Sequence, residues 1–120
     1  MPPNSPLARL RTLCLALADT TEVPSHGEPT FRVKGKMFAM FASGANHHGK
    51  GRDGVWCKAT LPIQALMVEQ HPDRIFVPPY VGHTGWLGVW LDGRVDWQMV
   101  RDLLEGAHRL AIPKRRRRSV

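Results

Sequence analysis

The residue types able to do chemistry in this chain are six histidines, two cysteines and a run of cations near the C-terminus. His47 and His48 are adjacent, whereas His26, His71, His83 and His108 each stand alone on a different stretch. A metal centre needs three or four donors converging at roughly 2.0 to 2.3 Å, which sequences usually supply as C-x-x-C or H-x-x-x-H. Neither spacing occurs, so no metal and no cofactor is expected. Cys14 and Cys57 fall in a helical and a strand pattern, have no motif partner, and read as buried and reduced. No G-x-S-x-G elbow is present either, so nucleophilic catalysis is not expected. Gly44, Gly49 and Lys50 reproduce the start of the phosphate-loop pattern G-x-x-x-x-G-K-[ST], but Gly51 stands where a magnesium-binding hydroxyl is required. The segment also joins two strand patterns instead of opening a helix whose N-terminus would cradle phosphate. The chain is therefore expected to bind rather than to catalyse.

Three groups of residues could do the binding. Arg32, Lys34, Trp56, Lys58, Trp86 and Trp90 all fall on the same phase of period-two stretches, opposite Phe31, Val33, Cys57, Leu87 and Val89. If helices cover the apolar phase, the other face mixes cations with rings. That combination holds single-stranded nucleic acid, with bases stacking on rings and phosphates meeting Lys or Arg. The same arrangement also serves to shield a sheet, with long cationic stems lying over the rings. The second group is the stretch from Pro78 to Trp90. Its prolines stiffen the backbone, its glycines allow close approach, and Tyr80 and His83 are candidates to line a small-ligand pocket. The third is the run Lys114, Arg115, Arg116, Arg117 and Arg118, which carries five of the net +7 charges and leaves the rest of the chain at 7 − 5 = +2. Cations of this kind attract phosphate backbones with a steep dependence on salt.

The elements that would position these groups follow from periodicity. Leu7, Leu10, Cys14 and Leu17 recur at helical spacing, which predicts a first helix from Pro6 to Ala18. Residues 20–29, with two prolines and a glycine among polar residues, read as a loop. Thr30 to Lys34, a tight turn at Gly35 and Lys36, and Met37 to Ala42 form a hairpin. A loop over 43–53 leads to a third strand from Gly54 to Thr60. Pro62 opens a short second helix that Pro72 stops. Arg74 to Val77 and Trp86 to Leu91 are two further strands, and Asp96 caps a last helix through Ile112. With 120 residues the chain suits one domain over 1–113 followed by a basic tail over 114–120. No apolar stretch reaches the length of a bilayer span and no secretory order is visible at the N-terminus, so a cytoplasmic location is expected.

Four phrases in this order, FRVKGKMF (Phe31 to Phe38), WCKA (Trp56 to Ala59), PPYVGHTGWLGV (Pro78 to Val89) and Val95, Asp96, Trp97 with AIPK (Ala111 to Lys114), resemble the MmcQ/YjbR-like family of small bacterial domains. The resemblance covers Leu7 to Lys114. It implies a two-layer α+β fold of order α-β-β-β-α-β-β-α, with a five-stranded antiparallel sheet and helices on one face, similar to secretion chaperones. It also implies the DNA-binding label the family carries, although a fold does not fix a function. The leading expectation is thus a non-enzymatic domain binding DNA or single-stranded nucleic acid. The alternatives are a protein-interaction or chaperone-like module, and a small-ligand binder with a pocket near residues 78–90.

Overall fold

The structure is a computed structural model that describes residues 5–46, 48 and 51–113. Its elements run α1 (Pro6–Leu15), β1 (Thr20–Ser25), β2 (Glu28–Val33), β3 (Lys36–Ala42), β4 (Gly54–Cys57), α2 (Leu61–Gln70), β5 (Ile75–Phe76), a 3-10 turn (Gly82–Thr84), β6 (Leu87–Trp90) and α3 (Trp97–Ala111). Each helix starts where its sequence supplies a cap. Ser5 Oγ accepts from the Ala8 amide, Thr60 Oγ1 from Ile63, and Asp96 Oδ1 from Met99, so one otherwise orphaned donor of each first turn is satisfied.

The strands form one antiparallel sheet in the order β1-β2-β3-β4-β6-β5. The α+β class and the helix order agree with the sequence, but the sheet has six strands where five were expected. The sixth is β1, inside the stretch read as a loop. His26 and Gly27 both take positive φ (52° and 80°) and close a two-residue hairpin, with Ser25 opposite Glu28. The prolines that argued against a strand face each other as the pair Pro24–Pro29, one step from the closing pair. At that position of a two-residue hairpin the backbone N–H points away from the partner strand, so neither ring removes a β1–β2 hydrogen bond. The next hairpin turns at Lys34 and Gly35 (φ 52° and 81°), one residue earlier than read.

All three helices pack on one face. Leu10 and Cys14 of α1, and Val100, Leu104, Ala107 and Ala111 of α3, close over Phe31, Val33, Phe41, Val55, Cys57, Leu87 and Val89, while Met67 and Val68 of α2 reach the same cluster from its side. A bulge between Phe31 and Arg32 leaves Phe38 unpaired in β3, and its ring meets His108 edge-on at 5.3 Å. His108 Nε2 lies 2.7 Å from the Ala18 carbonyl oxygen, which ties α3 to the link between α1 and β1. The other face is covered by connecting segments. Met40, Ala42, Trp56 and Trp86 form a second buried cluster there, with Met37, Phe76 and Val81 packed against it.

Candidate functional site

Strand alternation puts Trp56 and Trp86 on the face away from the helices, whereas Lys58 lines the groove on the helix side, and burial corrects the role of the rings. Trp56 and Trp86 are only 4% and 6% exposed, so neither ring is an open platform for a base. The ring of His48 meets Trp56 edge-on at 5.7 Å, and Val81 packs on the same cluster. Two tryptophans bury too much apolar area to be left in water when a nearby loop can cover them. Trp90 is partly exposed, yet both its neighbours are internal: Phe76 stacks on it at 4.1 Å and the Arg52 guanidinium lies 4.1 Å from its centroid. Arg52 also makes a bidentate contact with Asp92 (2.7 and 2.9 Å), and those hydrogen bonds hold the Asp92 carboxyl below the usual range against the opposing effect of partial burial.

The cations do not gather into one array. Arg32 is half-buried and donates to Thr30 Oγ1, Lys34 sits in the hairpin turn 3.7 Å from Asp19, and Lys58 lies beyond the end of β4. Lys114, Arg115, Arg116, Arg117 and Arg118 lie outside the described residues. Tyr80 and His83 are exposed rather than cupped. Tyr80 occupies a three-residue turn with φ 69°, closed by the Val81 amide on the Pro79 carbonyl. The glycines nearby have structural work: a Cβ on Gly88 would lie 2.2 Å from the Phe76 ring, and Gly85 (φ 107°) packs against the backbone at Thr60 and Leu61. Gln64 locks this segment to α2, donating from Nε2 to the carbonyls of Gly82 (2.7 Å) and Trp86 (2.6 Å).

A buried carboxylate stands at the turn between the first two strands. Glu28 is 1% exposed; its Oε2 accepts from the Ser43 amide and lies 3.4 Å from His48 Nδ1, while Oε1 has no hydrogen-bond partner among the described residues. Among the described residues no group of three His, Cys, Asp or Glu side chains is placed to hold a metal ion. Burial pushes the Cys57 thiol up to about 12, and Cys14 is raised by the same cause, so neither is poised as a nucleophile. No helix is long and apolar enough to cross a membrane among the described residues.

One groove was not anticipated. A groove of about 740 Å³ runs between α2 and α3, with a floor of Ala59, Ile63, Met67, Met99, Leu103 and Leu110 and with Lys58, Asp96, Asp102 and Arg109 on its rim. Its cause lies in α2. The sequence LPIQALMVEQ is apolar on every side, and such a helix is normally buried all round. Here Gln64 is its single buried residue, while Leu61, Ile63 and Leu66 are 53%, 42% and 45% exposed, and of these three Ile63 faces the groove. The signal was present in the sequence: Leu61, Ile63, Leu66 and Met67 cannot all lie on one helical stripe.

Comparison with known proteins places this architecture. The fold is similar to the crystal structure of Deinococcus radiodurans protein DR2400, which carries the DUF419 domain, with a TM-score of 0.76 at 22% identity over 94% of this chain and 83% of that one. A crystal structure of a protein from Pseudomonas syringae matches with a TM-score of 0.59 at 19% identity, over 78% of this chain and 88% of that one. None of the curated proteins compared matches the chain. The family model described as YjbR matches residues 15–110, the stretch that builds the whole sheet, α2 and nearly all of α3, and the chain belongs to the YjbR family.

Proposed function

We propose that the chain is a non-enzymatic protein-interaction module whose docking surface is the groove between α2 and α3. The observation that carries this reading is the apolar lining of the groove, where Ile63 and Leu110 are each 42% exposed beside Met67, Met99 and Leu103. Burying a large aliphatic side chain is worth about 1.5 to 3 kcal/mol relative to leaving it in water, so several such side chains clustered in a groove are a strong drive toward a partner. The polar residues on the rim fix orientation, as in other helix-in-groove contacts. A suitable probe is a synthetic amphipathic peptide with leucines at i, i+3, i+4 and i+7. Calorimetry is expected to give a negative heat capacity of binding, weak dependence on salt, and loss of binding in Ile63→Glu. Binding by Ile63→Glu equal to that of the parent would overturn the reading.

The nucleic-acid reading keeps one support, the concentration of five positive charges in residues 114–118. It no longer draws on Trp56 and Trp86, and it calls for an electrostatic contact made through the tail without base stacking.

A further inference from the structure

The rim charges of the groove are sorted by end, and that sorting identifies an occupant. The Lys58 amide donates to the Phe38 carbonyl, the Phe38 ring meets His108, and the other end of β4, Gly54, pairs with Trp90 near the entry to α3, so Lys58 belongs to the end of the groove toward the C-terminal half of α3, the half that carries Arg109. Asp96 and Asp102 belong to the N-terminal half of the same helix, about 20 and 10 Å from Arg109 at 1.5 Å per residue. The groove therefore has a basic end and an acidic end, with an apolar floor between them.

We propose that the occupant of this groove is a second copy of the chain, docked face to face about a two-fold axis; the inference rests on the reading of the groove as a docking surface. A two-fold axis across the groove reverses its direction, so Lys58 and Arg109 of one copy meet Asp96 and Asp102 of the other, twice. A surface that complements itself in this way is selected by a second copy over a partner of uniform charge. Two chains of net charge +7 also repel each other, and α2, with Glu69 as the one charged residue among ten, is where they approach at least cost.

Gly106 points the same way by a different route. It lies within α3 on the groove lining, where glycine costs about 1 kcal/mol relative to alanine. Its φ is not positive, and a Cβ there would meet nothing closer than the flexible end of Arg109 at 3.9 Å. Among the described residues nothing calls for glycine at this position. A helix from a second copy does, because a missing side chain lets two helix backbones approach closely.

Sedimentation velocity of the full chain over about 5 to 200 µM tests the proposal. A concentration-dependent dimer is expected. Ile63→Glu and Leu110→Glu, at positions exposed enough to leave the circular dichroism spectrum and melting cooperativity intact, should weaken it at least about 100-fold. Gly106→Leu should favour the helix in the single chain while weakening the dimer. Asp102→Arg and Arg109→Asp should each be monomeric alone, and an equimolar mixture should dimerise again, because only the mixed pair restores both contacts. A monomer at every concentration, or a dimer indifferent to Ile63→Glu, overturns the proposal. If the parent is monomeric but still binds the amphipathic peptide in an Ile63-dependent way, self-association falls and the docking surface stands. If the dimer forms as described and no peptide binds, the second copy stands and a foreign partner falls.

Discussion

Cys57 shows how far a residue's chemistry is set by what surrounds it. Its type alone leaves open a nucleophile, a ligand or a disulfide partner, whereas the buried position facing α1 and α3 makes it a small apolar side chain with a thiol held protonated to about 12. The sign of the pH effect follows. In the unfolded chain a thiol ionises near pH 8.5, so above that value the unfolded state gives up a proton that the folded state keeps, and stability falls as pH rises. Urea midpoints measured between about pH 8 and 10 should drop, with a limiting slope of about 1.4 kcal/mol per pH unit for each such thiol. Cys57→Ala, compared with the parent across the same range, should show a shallower decline. Equal slopes would mean that the alkaline loss has another origin. Ellman's reagent should find neither Cys14 nor Cys57 until denaturant is added.

At the scale of elements, the sheet face away from the helices is closed by the Phe76 ring of the edge strand β5 and by the connecting segments, and close approach is the condition for closing it. Phe76 lies flat over Gly88 and stacks on Trp90, and Gln64 pins the segment leading to Trp86. Gly88→Ala would drive a Cβ into the Phe76 ring and separate β5 from the sheet. It is expected to cost about 1 to 3 kcal/mol in chemical denaturation. It should also raise the exposure of Trp90 and Trp86, seen as a red shift and easier quenching of tryptophan fluorescence. A variant with parental stability and spectrum would show that β5 is not held by this contact. The same closure explains why period-two alternation assigned Trp56 and Trp86 to the correct face while saying nothing of their exposure. Alternation fixes the side of a sheet, and the covering segments arrive from elsewhere in the chain.

For the whole molecule, charge and apolar surface belong to different regions. Outside residues 114–118 the chain carries +2, and the groove between α2 and α3 balances two carboxylates against two cations. Deleting residues 114–120 should therefore lower affinity for duplex DNA and flatten its salt dependence, since every phosphate that is no longer neutralised takes about 0.9 off the slope of log K against log salt. The fold and the amphipathic-peptide binding should be unchanged. Filter binding at several salt concentrations checks the first part, and calorimetry with the peptide checks the second. An unaltered salt slope would place the DNA contact on the folded body instead.

The order of the long elements, the Asp96 cap of the last helix and the face taken by Trp56 and Trp86 were legible in the sequence, because they depend on local periodicity and on a cap acting within one turn, whereas Thr60, read as the end of a strand, caps α2. Family resemblance supplied the antiparallel sheet with helices on one side. Strand β1 was missed because its prolines are destabilising in most strand positions, and only the register that pairs Pro24 with Pro29 makes them harmless. The burial of Trp56 and Trp86, the anchoring of residues 82–86 by Gln64 and the groove beside α2 depend on elements distant in sequence meeting in space. The sequence determined which side chains are apolar; only the tertiary structure decided which of them find cover, because that depends on whether a loop, a strand or nothing in this chain arrives to meet them.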